Sequence, residues 1–316
     1  MRRYELNLLK KYPIPMAGLI LSIFALGNLL QSYGDSIRNV IGIIGFILYA
    51  IYVLKLIVLQ KGVKEQLENP LIGSVFLTIT MATMLFATYI KPISPTIGLV
   101  VWWIGVVGHL VLMILFSKKF LTDFSIKKVF PSWFIVYVGI VVASVTAPMF
   151  EQIAVGKIAF WFGFITYLIL IPIILKRVWV VKEMPEPTLP TIIILAAPGS
   201  LLLAGYINSF DNKSMAIVYL LFAFSIVFYL IALAYLPRLL KLKFYPSFSS
   251  FTFPMVISAI ATKQLNGFLI KAGNEISWLV YIVKAQEIIA ICLVLYVFVL
   301  YMMSLMKTEK AVESKA

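Results

Sequence analysis

Very few residues in this chain are of a type that does acid–base, nucleophilic or metal chemistry, and their spacing limits what they do. There is one histidine, His109, and one cysteine, Cys292, too few for a metal site of ordinary ligand count. A single thiol also excludes an internal disulfide framework. Cys292 reads as an apolar packing residue. His109 reads as a packing or hydrogen-bonded side chain, with a proton relay as the alternative. Lys284 and Glu287 stand three residues apart in an apolar stretch, on neighbouring positions of a helix. They predict a structural ion pair or a subunit contact, although charges within an apolar span are also functional candidates. No glycine-rich phosphate loop is present, so ATP hydrolysis is not expected. No cluster of Asp, His or Cys supports an intramembrane enzyme. The expectation is a protein that is not an enzyme and needs no cofactor or metal.

The informative spacing belongs to residues without reactive groups. Pro13, Pro70, Pro131, Pro190 and Pro246 each open a long apolar run, at steps of 57, 61, 59 and 56 residues. A near-constant period marks a repeated structural unit. Each proline reads as a helix start, where its missing N–H costs nothing. Eight residues after it the chain places Thr78, Gly139, Pro198 and Pro254 in the last four units. The first unit departs, with Leu21 at that offset and its small residues at Ala17 and Gly18. A proline inside a helix removes a backbone bond and bends the chain. In a membrane that is tolerated where the freed carbonyls face protein or a water-filled cavity. Gly18, Thr78, Gly139, Pro198 and Pro254 are therefore expected to kink and line a pore; close helix packing by small residues is the alternative.

These positions need elements to carry them, and composition says what kind. Of 316 residues, 62% are hydrophobic and 13% charged, with a mean hydropathy of +1.02. That excess of apolar surface predicts an all-α integral membrane protein. The apolar runs are continuous rather than alternating, against an outer-membrane barrel. Ten spans are expected, at about 13–33, 36–59, 70–91, 95–116, 131–149, 154–175, 188–209, 213–236, 247–268 and 275–305. They form one transmembrane domain over 1–316. Paired, they make five helical hairpins around a central pore, with the odd helices as an inner ring and the even ones as an outer ring. The opening Met1–Lys11 leads into the first span with no small-residue cleavage site, so no cleaved leader is expected.

The net charge of +14 does not call for nucleic acid. Of 27 Lys and Arg, 20 fall on one side of the span pattern. They are Arg2, Arg3, Lys10 and Lys11; Lys55, Lys61 and Lys64; Lys118, Lys119, Lys127 and Lys128; Lys176, Arg177 and Lys182; Arg238, Lys241 and Lys243; and Lys307, Lys310 and Lys315. This positive-inside bias predicts both termini in the cytoplasm, with the protein in the plasma or inner membrane and the bilayer as its partner.

In the ninth span the chain reads Phe251-Thr252-Phe253-Pro254-Met255, and it opens on Tyr12-Pro13-Ile14-Pro15. With the five-hairpin layout, these strings resemble the tellurite-resistance/dicarboxylate transporter family. That family includes plant guard-cell slow anion channels, bacterial tellurite-resistance channel homologues, and fungal malate and sulfite permeases. The resemblance covers essentially the whole chain. It implies a homotrimer in which each protomer has its own pore, plugged midway by a phenylalanine of the ninth helix. The matching residue here is Phe253; without the resemblance it is an ordinary packing aromatic. The implied function is a gated channel for small monovalent anions such as chloride and nitrate. The alternative on the same fold is proton-coupled transport of C4-dicarboxylates (malate) or of sulfite, other small organic or inorganic anions. Lys263 lies ten residues beyond Phe253, about 15 Å along a helix. It is expected to attract anions at the outer mouth, with a lysine snorkelling to the interface as the alternative.

Overall fold

The computed structural model describes residues 9–313. Arg2, Arg3 and Lys315, which enter the charge-bias reading, lie outside them. The described residues form helices and turns with no strand. Ten helical elements are long and apolar enough to cross a membrane: α1 (Met16–Tyr33), α2 (Asp35–Val58), α3 (Pro70–Ile90), α4 (Pro95–Phe120), α5 (Trp133–Phe150), α6 (Ile153–Val181), α7 (Glu186–Ser209), α8 (Met215–Leu239), α9 (Pro246–Lys271) and α10 (Leu279–Met306). Most ends fall within four residues of the sequence expectation. The exception is α6, which runs on as a π-helical stretch Lys176–Val181. Its polar end stays ordered because buried Arg177 donates to the carbonyls of Val129 at 3.1 Å, Glu183 at 3.3 Å and Lys127 at 3.4 Å, and to that of Lys182.

The two sets of helices differ in burial. The odd elements bury 61 to 94% of their apolar windows, and the even ones only 28 to 33%. Inner and outer rings follow directly. Even helices are apolar all round because one face meets the odd ring and the other meets hydrocarbon. Small hydroxyl residues tie the inner ring together, as expected where no hydrophobic force drives helices to associate. Ser22 pairs with Thr252 at 2.5 Å between α1 and α9, and Ser74 with Ser132 at 2.6 Å ahead of α5. Ser200 reaches both Ser225 at 2.7 Å and Ser258 at 2.9 Å, linking α7 to α8 and α9.

The opening prolines initiate helices less uniformly than their spacing predicts. Pro70 does so in the expected way, with Asn69 accepting from the Leu71 and Ile72 N–H groups. Pro13 and Pro131 instead sit in turns just before their helices. Pro190 lies inside a ten-residue 3-10 stretch, Glu186–Leu195, and Pro246 begins another, Pro246–Phe251. A 3-10 turn tolerates these sequences because proline and hydroxyl residues satisfy few of the bonds a regular α-helix requires. At Tyr12-Pro13-Ile14-Pro15 the Pro13 and Pro15 carbonyls accept from the first N–H groups of α1, at 3.1 and 3.0 Å, and side chains of α2 reach the other two. Tyr52 donates to Ile14 at 3.0 Å and the Lys55 ammonium donates to Tyr12.

Candidate functional site

Four of the five odd elements break at one height. α3 interrupts at Leu77 and resumes as α-helix at Thr78; α5 turns to 3-10 over Gly139–Val141. α7 changes from 3-10 to α at Ala196, and α9 resumes at Phe253 after Thr252, whose φ and ψ are −95° and −74°. Pro198 and Pro254 thus lie in the first turns of new α segments, not in helix interiors as the sequence suggested. Proline is at home there, since a first-turn N–H has no partner to lose. α1 alone passes this height unbroken, in keeping with its departure from the residue pattern.

Side chains at the break height enclose a chamber. Gly18, Thr78, Gly139, Pro198 and Pro254 all line it, and so does Leu21, the first unit's residue at the eight-residue offset. All five offset positions therefore converge. The chamber is tight, leaving about 40 Å³, and its walls are largely apolar. Thr78 spends its hydroxyl proton on the Val75 carbonyl at 2.7 Å. Gly18 lets α1 approach α9: a Cβ there would lie 3.2 Å from Ser249.

A second and larger chamber, about 750 Å³, opens toward the face where the odd helices end, here called distal. Phe253 and Leu201 line both chambers, and Phe253 is 7% exposed. The aromatic ring therefore stands where the two spaces meet.

The distal chamber has its own register. Eighteen residues beyond the five opening prolines stand Gln31, Thr88, Met149, Asn208 and Gln264, and all five line it. This offset was the signal by which the sequence could have found them; ten residues past the first ring is about 15 Å of helix. Lys263 lines the chamber too, but its three ammonium protons are committed. They go to Glu287 at 2.6 Å, Ser32 at 2.7 Å and the Leu29 carbonyl at 3.1 Å. The carboxylate of buried Glu287 also accepts from Tyr33 at 2.6 Å and lies 3.5 Å from Lys284. Two ammoniums thus share one carboxylate. The Lys284–Glu287 pair exists as predicted, yet its closer cation is Lys263, from the inner ring.

Arg38 was unremarkable in the sequence. It lies on α2, an outer helix, but is only 6% exposed. Its guanidinium donates to Asn28 Oδ1 and to the Thr88 carbonyl, each at 2.9 Å, and lies 4.1 Å from the Tyr89 ring centre. His109, also on an outer helix, is fully buried, with Nδ1 2.7 Å from the Thr80 hydroxyl and Nε2 donating to the Val136 carbonyl at 3.2 Å. Its Cε1 would lie 3.0 Å from a Cβ on Gly139. It braces the α5 break from behind and lines neither chamber. Cys292, expected to pack, faces outward from the bundle. No group of three or more His, Cys, Asp or Glu suited to a metal occurs among the described residues.

Comparison with known proteins agrees with this architecture. An uncharacterized transporter of Methanocaldococcus jannaschii is 21% identical over 266 residues, covering 75% of this chain and 78% of that protein. A sequence model of the voltage-dependent anion channel family matches residues 11–306. That match takes in all ten spans and both chambers, so the chain belongs to the voltage-dependent anion channel family.

Proposed function

We propose that this protein is a gated channel for small monovalent anions, chloride and nitrate among them, with one pore per protomer of a homotrimer. The two chambers form the path and Phe253 is its plug. The observation that carries this reading is the position of Phe253, shared by both chambers and shielded at their junction. A ring on the first residue of an α segment, next to a 3-10 stretch, is suited to gating by rotamer change in a narrow apolar tube. Gly18, Thr78, Gly139, Pro198 and Pro254 line the tube beneath it.

Three features support anions over cations. Asp35 is the sole carboxylate residue among those lining the two chambers. The α segments that resume at Thr78, Ala196 and Phe253 aim their positive dipole ends at mid-path. At the distal rim, Lys263, Lys284 and Glu287 leave one net positive charge, and in this form Lys263 contributes to outer-mouth attraction. The basic bias of the opposite loops supports cytoplasmic termini in a plasma or inner membrane.

The test is current across planar bilayers from wild type and Phe253→Ala under chloride, nitrate and malate gradients, with and without a pH gradient. Phe253→Ala is expected to raise anion current about tenfold or more, the removal of a barrier of about 1.4 kcal/mol. Unchanged current in correctly assembled protein removes the plug assignment. Malate or sulfite uptake driven by pH, with no current released by the substitution, makes the protein a coupled carrier.

A further inference from the structure

Side-chain amides have two faces, one accepting and one donating, and the neighbours of an amide decide which face meets the chamber. An arginine carries no acceptor. The 2.9 Å contact from Arg38 Nε therefore requires Asn28 to present its oxygen, which turns the Asn28 NH2 toward the other side. One of its protons reaches Thr88 Oγ1 at 3.3 Å; the second has no partner among the described residues. The same logic applies across the chamber. Asn208 gives its NH2 to the Ala204 carbonyl at 2.7 Å and to Gln264 Oε1 at 2.8 Å, which leaves the Gln264 NH2 unclaimed. Asn28, Asn208 and Gln264 all line the distal chamber. Asn28 and Gln264 thus each keep an unclaimed N–H, while Asn208, with both its protons spent, keeps only its oxygen.

The charge behind this arrangement is Arg38. It is 6% exposed and has no carboxylate within 4.0 Å among the described residues. A buried guanidinium without a counter-ion is costly; Arg38 does not itself line the distal chamber, and Asn28, which accepts from its Nε, stands between the two. Lys263 differs, because its protons are consumed and Glu287 offsets its charge. The nearest opposing group on the same helix is Asp35, which lines the chamber and accepts from Gln31 Nε2 at 3.0 Å.

We propose that the distal chamber holds a small monovalent anion against the Asn28 amide, with Arg38 supplying the counter-charge and fixing the amide's orientation. Resting on the channel reading, this assigns Arg38 as a positioning residue and Asn28 as the ion's direct donor. The site concentrates anions ahead of the Phe253 constriction.

The experiment uses full-length protein in two formats. In the Phe253→Ala background, conductance is measured from low to molar chloride for Arg38→Gln, Arg38→Lys, Asn28→Asp and Asp35→Asn. Crystals of wild type and variants grown in bromide supply anomalous maps. Arg38→Gln is expected to lower conductance about tenfold at low chloride and to converge with its parent at high salt, where fixed charges are screened. Asn28→Asp keeps a partner for Arg38, so it preserves the fold, and it cancels the charge with the same loss. Arg38→Lys keeps low-salt conductance but loses the bromide peak beside Asn28. Asp35→Asn raises low-salt conductance. The proposal falls if Arg38→Gln and Asn28→Asp conduct like their parent at low chloride, or lose current equally at every concentration. It falls equally if the bromide peak is missing in wild type or persists in Arg38→Gln. Should Phe253→Ala pass no anion current, the channel reading fails by itself, and the bromide maps alone decide whether this site exists.

Discussion

Charge pairing at single residues explains why Lys263 and Lys284, which share Glu287 at the distal rim, do different work from Arg38. Lys263 is a partner before it is an attractor: it holds Glu287, which is 4% exposed, at 2.6 Å. Lys263→Gln should lower the thermal midpoint in detergent, a loss of about 1–2 kcal/mol, since a nearly buried carboxylate keeps the Tyr33 hydroxyl but only one cation, the more distant Lys284. It should also reduce anion current at low chloride. The double variant Lys263→Gln with Glu287→Gln restores both the pairing balance and the net rim charge, so both readouts should return toward wild type. Current that stays low in the double variant would show that the lysine itself, not the net charge, matters. His109 makes a contrasting prediction. His109→Leu removes the side-chain donor to the Val136 carbonyl and leaves the Thr80 hydroxyl with the Leu77 carbonyl alone, at a cost of about 1–3 kcal/mol. The expected result is a lower thermal midpoint with no change in the pH dependence of current. A changed pH dependence would reinstate the proton-relay reading.

Broken elements, taken one level up, do what straight helices cannot. An unbroken ring of five helices packs its side chains into the centre; a shift from 3-10 to α at a common height opens space and redirects the next side chain. At α9 that side chain is Phe253. Close packing of the outer ring holds the break in place. Gly199 sits one residue past Pro198, and a Cβ there would lie 3.0 Å from backbone atoms of Phe224 and Ser225 on α8. Because backbone cannot swing aside, Gly199→Ala should push α7 from α8 and cost about 1–3 kcal/mol. The thermal midpoint checks it, and a midpoint equal to wild type would mean that α8 shifts freely. The even helices, uninterrupted where they face outward, are expected to tolerate apolar exchanges at positions such as Ile43 and Ile104, which are each 60% exposed.

At the scale of the whole molecule, the odd helices are buried and the even helices exposed, and the path we propose runs within one chain. On that proposal assembly is not needed to build the path, and the homotrimer we propose should place conduction in each protomer separately. Mixing wild-type and Phe253→Ala chains in one assembly should give conductance levels that step in proportion to the number of altered chains. A single all-or-none level would instead locate the path between protomers.

Span number, span order and the inner or outer fate of each helix were determined by the sequence itself, because apolar length and the proline period are local properties that the bilayer reads directly. The eight-residue offset was legible too: all five of its positions, Leu21 included, reached one chamber. The further offset that supplies Gln31, Thr88, Asn208 and Gln264 was present in the chain but carried no local signature, as amides near helix ends are common. Only the tertiary structure decided that Lys263 would meet Glu287, that the prolines would begin helical segments instead of bending them, and that Arg38 on an outer helix would turn inward to Asn28. Each of those outcomes depends on which side chain from a distant part of the chain arrives within 3 Å or so, and no periodicity encodes that.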